Sequence, residues 1–296
     1  MQLLIYILVY PFLWIMSILP TRVLYGFSNF LFFVVYYLFN YRKKVVRENL
    51  RLCFPKKSLH EIKSIEKKFF RHLCDMFVES IRSISISEAE IRERYKFTNI
   101  EEVNKIEEAN KSILLMCAHY ASWEWIFIIQ KYVTTDGYAI YKKIENKYFD
   151  QLIRKIRAKY NTNLITNKET FTRMREHKKL GKKGIYGFLS DQSPKLKSAY
   201  HWKKFMNIKV PVHTGAEKLA KELDLAIVFF KTKKVKRGYY ETTFKTVTLN
   251  PNEFENYQIT DLFINYLEDM IHEEPAYYLW THKRWKHRNN VPIEFQ

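Results

Sequence analysis

Apolar positions run almost unbroken through Leu3–Leu19, with Ser17 the exception, pause at Pro20-Thr21-Arg22, and resume over Val23–Phe39 around Gly26, Ser28 and Asn29. Each half falls slightly short of the ~20 residues a straight membrane span requires. Residues 1–40 therefore predict a hydrophobic membrane anchor, either one transmembrane helix plus an interfacial helix or a shallow hairpin. A cleaved signal peptide would need a positive n-region and a small-residue cleavage site, and the segment has neither. Tyr41-Arg42-Lys43-Lys44 and Arg47 follow at once, so the positive-inside rule puts 41–296 on the cytoplasmic side.

Beyond the anchor the pattern alternates between two periods. Ser58-Leu59-His60-Glu61 is a capping box, opening a long helix with Ile62, Ile65, Phe69, Leu73, Phe77 and Ile81 inward. His60 and His72 are assigned to its surface. Ser87–Ile100 reads as a charged connection with a possible strand from Tyr95. Ile113–Cys117 is a short apolar run of buried-strand type. The pattern breaks at Ala118-His119-Tyr120-Ala121 and resumes as a helix capped by Ser122, with Trp125, Ile126, Ile129 and Tyr132 apolar. Strands are predicted at Gly137–Tyr141, Asn163–Thr166, Gly184–Ser190, Leu225–Phe230 and Tyr239–Leu249. Helices are predicted at Lys147–Lys159, Glu169–Leu180 (ending at Gly181), from a second capping box at Thr214–Glu217 to Leu223, and at Ile259–His272. This alternation predicts an α/β fold: a single domain over 41–296, with a central mixed sheet flanked by helices.

Composition adds a partner. Among 296 residues Lys+Arg number 50 and Asp+Glu 31, a net charge of +19 spread along the chain. Such a balance needs nucleic acid, anionic lipid or an acidic carrier protein; aromatics at 17%, crowded into the first forty positions, favour lipid. Cys53, Cys74 and Cys117 form no metal or redox pattern and are read as reduced thiols.

The chemistry concentrates at His119. A histidine at a strand end can take a proton from an attacking hydroxyl near neutral pH, and a nearby carboxylate can orient it. Glu124 is the candidate, provided His119 lies in the turn before the helix, because on a continuous helix a spacing of five separates side chains by about 140°. The alternative is a polar turn followed by a routine first-turn acid. No Gly-x-Ser-x-Gly, no HExxH and no phosphate-cradling glycine loop is present. A base without a protein nucleophile points to direct attack by a substrate hydroxyl or water, and no metal or cofactor is expected.

His119-x-x-x-x-Glu124 after an apolar strand resembles the motif of glycerolipid-type acyltransferases. More specifically, the chain resembles the lipid A late acyltransferase family. Arg47-x-Asn49-Leu50-x-x-Cys53-Phe54-Pro55 is similar to that family's segment after the anchor. Arg157 stands where its second-block arginine does, with Arg154 the weaker match. Asp191-Gln192 is similar to its Asp-Gln block, Lys209-Val210-Pro211 through Ala220 to its next block, and Trp280-x-His282-Lys283-Arg284-Trp285-Lys286-x-Arg288 to its C-terminal ending. Lys204–Asn207 and Ser193-Pro194-Lys195 depart from the family's usual loops.

The resemblance implies a glycerolipid acyltransferase-like fold and a membrane-bound enzyme. It would move a fatty acyl chain from an acyl thioester, acyl carrier protein or acyl-CoA, to a hydroxyl of a lipid A precursor. The expected location is the bacterial inner membrane, with the catalytic domain facing the cytoplasm. It implies His119 as base and Glu124 as its orienter. Arg157, Asp191 and Gln192 would bind substrate, with Arg157 offering a fork to phosphate or oxyanion. Lys142, Lys143, Lys182 and Lys183 could meet an anionic glycolipid or phospholipid headgroup or the acidic carrier, and Trp280–Arg288 could serve as an interface anchor or a closing strand. Acylation of a lysophospholipid or aminolipid, or a non-enzymatic basic protein on anionic membrane, are the rival readings; nucleic acid is not an expected partner.

Overall fold

Residues 1–295 are described by a computed structural model. Apolar helices α1 (Gln2–Ile18) and α2 (Thr21–Phe33) open the chain, and α2 runs into a π-helical turn at Val34–Leu38. The amphipathic α3 (Lys43–Cys53), the long α4 (Leu59–Arg82) and the short α5 (Glu88–Arg94) follow. Then come β1 (Tyr95–Phe97), α6 (Glu101–Glu108), β2 (Ile113–Cys117), β3 (Gly137–Tyr141), α7 (Lys147–Arg157), β4 (Asn163–Thr166), α8 (Thr170–Lys179) and β5 (Ile185–Leu189). A small hairpin of β6 (Trp202–Phe205) and β7 (Ile208–Pro211) leads to α9 (Gly215–Leu223), β8 (Ala226–Lys236), β9 (Tyr239–Thr248) and α10 (Gln258–Glu273).

Seven strands make one mixed sheet in the order β1-β9-β8-β2-β5-β3-β4, parallel at every pairing except β8 with β9. β2 is buried at all five positions, as its continuous apolar run requires. Its even positions Leu114 and Met116 pack with Ile227 and Phe229 against α4, α9 and α10. Its odd positions Ile113, Leu115 and Cys117 pack with Ile185, Val228 and Phe230 against α6 and a 3-10 helix at Trp125–Lys131. The predicted α/β class, single domain and mixed sheet are all present.

Local signals fared unevenly. At Ser58 the capping box forms: the hydroxyl accepts from the Glu61 N–H and the Glu61 carboxylate accepts from the Ser58 N–H. The box expected at Thr214 does not. Thr214 lies in the helical region (φ −106°, ψ −2°) with no cap bond, and Glu217 accepts instead from the Thr260 N–H (2.8 Å) and hydroxyl (2.6 Å). His72 is buried rather than on the surface, edge-on to the Tyr277 ring at 4.7 Å. α3, α5, α6 and the β6–β7 hairpin were not predicted.

No single helix among the described residues is long and apolar enough to cross a membrane; a pair bent by 85°, Thr21–Leu38 with Lys43–Cys53, passes that test only together. α1 is largely exposed, with Leu4, Leu8, Phe12 and Ile15 open. α2 is fastened to the domain by buried polar bonds. Three carboxylates on α4 receive it: Ser28 donates to Asp75 (2.8 Å), Tyr25 to Glu79 (2.8 Å), and Tyr36 in the π-helical turn to Glu66 (2.8 Å). The polar interruptions at Ser28 and Asn29 thus have partners, Asn29 accepting from Arg237 (2.9 Å). Asp75 also accepts from Lys234 (3.2 Å) and from Arg237 (2.6 Å), so one carboxylate ties α2 and α4 to the β8–β9 turn. Replacing Asp75 with Ala removes the carboxylate paired with the nearly buried Lys234 ammonium. That substitution is expected to cost about 3 kcal/mol of stability, the size seen when one member of a buried pair is removed. Thermal unfolding should show a midpoint several degrees lower, and an unchanged midpoint would remove the network from the stability account.

Candidate functional site

β2 and β5 are neighbours in register, Cys117 beside Leu189. His119 and Asp191 each lie two residues past that pair, so both leave the sheet at its carboxyl edge, where open α/β sheets hold ligands. There the His119 Nδ1 meets Asp191 Oδ1 at 2.8 Å. Asp191 is almost fully buried and His119 is part-exposed. Gln192 brings its Nε2 to within 3.4 Å of the other ring nitrogen, His119 Nε2. The Trp123 ring crosses the imidazole edge-on at 5.1 Å.

Glu124 makes its hydrogen bonds to another residue. No α-helix begins at Ser122; the chain turns through Ala121 in the left-handed region (φ 48°) and enters the 3-10 helix with Glu124, not Ser122, at its cap position. Glu124 thereby faces α7, where Arg157 grips it with two bonds, Nη2 to Oε1 at 2.7 Å and Nε to Oε2 at 3.2 Å. The carboxylate hydrogen-bonded to the histidine ring is therefore Asp191, and the carboxylate holding the arginine is Glu124. The sequence reading had offered Glu124 as the partner of His119. The spacing of five could not reveal this, because the left-handed turn at Ala121 carries no sequence signal; glycine would be the ordinary choice there.

That turn is held from outside. Ala121 N–H donates to Tyr277 O (3.0 Å), Leu279 N–H donates to His119 O (3.1 Å), and Tyr120 bridges to Tyr278. The same C-terminal stretch receives the post-anchor block: Asn49 Nδ2 donates to Trp280 O and to His282 O, both at 2.9 Å. It also reaches the Asp-Gln loop, where Ser193 N–H donates to His282 Nε2 (3.2 Å). Burial, aided by the Arg284 charge, pushes the His282 pKa down to about 4, which keeps the ring neutral and able to accept. Trp280, Arg284 and Trp285 are fully buried, Arg284 donating to Pro211 O (3.0 Å). Trp280, Arg284 and Trp285 thus form a clasp behind the site rather than a closing strand, while Lys283, Lys286 and Arg288 of the same stretch are exposed. Sequence reading missed His282 and Asn49 as parts of the site. Their presence in two separated blocks was the only signal.

Beside Arg157 and Glu124 an apolar groove runs across the sheet face that carries Leu115 and Cys117. β5 and β3 form its floor, and Ile126, Phe127 and Ile129 its roof. Among the described residues no cluster of His, Cys, Asp or Glu could hold a metal ion. All three cysteines are free and buried. The arrangement is a buried carboxylate and an imidazole whose second nitrogen faces only the Gln192 amide, with Trp123 standing between that imidazole and an apolar groove, which suits proton abstraction from a hydroxyl next to an apolar substrate.

Residues 1–287 match the family described as bacterial lipid A biosynthesis acyltransferase. The chain belongs to that family. It is also similar to the lipid A biosynthesis lauroyltransferase of Escherichia coli (strain K12), 23% identical over 288 residues covering 96% of this chain and 92% of the relative. The chain is accordingly an O-acyltransferase of lipid A biosynthesis, and the blocks that first suggested the family, Arg157 excepted, are hydrogen-bonded to one another behind His119.

Burial alone would lower the His119 pKa, but the Asp191 charge and hydrogen bond, joined by the Glu124 charge, outweigh it and the net shift is upward; Asp191 is held low in turn by the imidazolium, against its own burial. Because the folded-state histidine pKa is raised, the pair stabilises the fold fully below the unfolded value of about 6.5 and loses that contribution as pH rises through the folded value. In Asp191→Asn the His119 titration, followed by NMR of its ring protons, should move to lower pH. A midpoint that stays put would show that Asp191 does not set it.

Proposed function

We propose that the protein transfers a fatty acyl chain from an acyl thioester, carried by acyl carrier protein, to a hydroxyl of a lipid A precursor at the cytoplasmic face of the bacterial inner membrane. The observation that carries this reading is the His119–Asp191 pair at adjacent strand ends beside an apolar groove. With Nδ1–H donated to Asp191, the His119 Nε2 lone pair faces outward and takes the proton of the acceptor hydroxyl. The oxygen attacks the thioester carbonyl, the new ester C–O bond forms, and the C–S bond breaks. The imidazolium, stabilised by Asp191, returns its proton to the departing thiolate. Gln192 lies 3.4 Å from Nε2 and gives way to the hydroxyl.

Arg157 has two nitrogens committed to Glu124, which fixes its plane and leaves Nη1 for a phosphate or the developing oxyanion. Glu124 is then the residue that positions the arginine. Lys142 and Lys143, exposed just past the carboxyl end of β3, are on the site's edge of the sheet and suit the acidic carrier; Lys182 and Lys183 precede β5 at the opposite edge. The exposed Leu4, Leu8, Phe12, Phe30 and Phe39 support a membrane seat for residues 1–40, with α1 and α2 lying shallow rather than spanning.

The test is transfer of labelled acyl groups by the purified full-length protein, from acyl carrier protein and from acyl-CoA, to a lipid A precursor and to lysophospholipid. His119→Ala should lose about 10²–10⁴ of the rate, the usual worth of a positioned base, while keeping its fold and its association with vesicles. Full activity in that variant would discard His119 as the base, and transfer to lysophospholipid alone would replace the proposed acceptor.

A further inference from the structure

The groove is made by a gap in the sheet surface. β5 is an interior strand, flanked by β2 and β3, yet its middle position is Gly187. Glycine in a strand interior lacks a packing side chain and carries an entropic cost, and it often marks a place where a ligand approaches closely. Its two register neighbours are Leu115 and Ala139, so a glycine and an alanine lie side by side on the groove floor. A β-carbon added at Gly187 would meet nothing closer than Tyr138 O at 3.9 Å, so the space is open. The floor runs from Leu189, beside the catalytic edge, to Ile185, a length of about 13 Å at the usual strand rise.

One wall of this groove has a second cavity behind it. Glu124, Phe127 and Arg157 line both spaces, and the second adds Ser80 and Ser83 to a mostly apolar lining that includes Trp125, Ile153, Ile156 and Tyr160. The Arg157 guanidinium lies over the Phe127 ring at 5.6 Å, so the ion pair braces the aromatic partition. A chain seated on the floor is limited below by whatever occupies position 187 and sideways by Phe127.

We propose that Gly187 and Phe127 together set the length of acyl chain the enzyme transfers, Gly187 by leaving the floor open and Phe127 by closing the groove off from the cavity behind it. This rests on the acyl-transfer reading and adds to it the residues that select among donors. It is directional: filling position 187 shortens the accepted chain, and removing the Phe127 ring lengthens it.

The test uses full-length protein, the lipid A precursor, and an equimolar ladder of acyl donors differing by two carbons, with products resolved by mass spectrometry. Gly187→Val should shift the preferred donor shorter by at least one step, with discrimination changed about tenfold or more, as methylene-sized differences in apolar pockets allow. A β-branched residue suits a strand, so its melting temperature should not fall. Phe127→Ala should shift the preference longer; Phe127→Leu, which leaves a smaller void, should do so in the same direction by less. Wild-type preference retained in both Gly187→Val and Phe127→Ala would overturn the proposal, as would a rate loss equal at every length in folded protein. Wild-type protein that transfers no chain of any length would instead overturn the acyl-transfer reading itself.

Discussion

The parallel pairing of β2 with β5 is the constraint on which the site depends. Because Cys117 and Leu189 are in register, the two residues that follow each strand arrive at the same place, and a histidine and a carboxylate far apart in sequence meet at 2.8 Å without any local motif to join them. A slip of one residue would turn every β2 side chain to the other face and carry His119 away from Asp191. The strand's complete burial forbids that slip, since each fully buried aliphatic side chain contributes roughly 1.5–3 kcal/mol. Register, fixed by apolar packing, therefore sets polar geometry.

A second layer of constraint comes from the chain's two ends. Backbone carbonyls of Trp280 and His282 satisfy Asn49, the neutral His282 ring satisfies Ser193, and Tyr277 and Leu279 bond the turn around His119. Ala121 is held at a positive φ that costs an L-residue roughly 1–2 kcal/mol, and the Tyr277 carbonyl is what retains it. The blocks that resemble the family at the sequence level are thus a single hydrogen-bonded assembly behind the imidazole. The ion pair of Arg157 with Glu124 is separate, bracing the groove wall.

What could be read from the sequence divides along the range of the interactions. β2, β5 and the Ser58–Glu61 cap were legible because each is decided within a few residues, by an apolar run or a reciprocal cap. The Thr214 box failed because Glu217 had a buried competitor in Thr260, which no local rule reports. His72 and Trp280–Arg288 were misjudged for a related reason: charge and aromaticity suggest a surface, while burial is decided by partners distant in sequence, such as Tyr277 and Pro211. Glu124 was singled out from the sequence, yet its hydrogen-bond partner could not be, because the choice between His119 and Arg157 is made by a left-handed turn and a crossover. The residues brought together, His119, Asp191 and Gln192 in one group and Glu124 with Arg157 in another, were all named from the sequence; their pairing was not.

The clasp between Asn49 and the Trp280–His282 carbonyls has a consequence in time. Those bonds span more than two hundred positions, so closing them is among the slowest events available to the chain. During synthesis the apolar amino-terminal helices and most of the sheet emerge well before His282 does. The bonds that Tyr277 and Leu279 give the turn around Ala121 are not available until then. A nascent or carboxyl-truncated chain can carry the histidine, the aspartate and the groove and still lack a working arrangement of them. Residues 277–282 therefore complete the backing of the site only after the strands that carry it are already made.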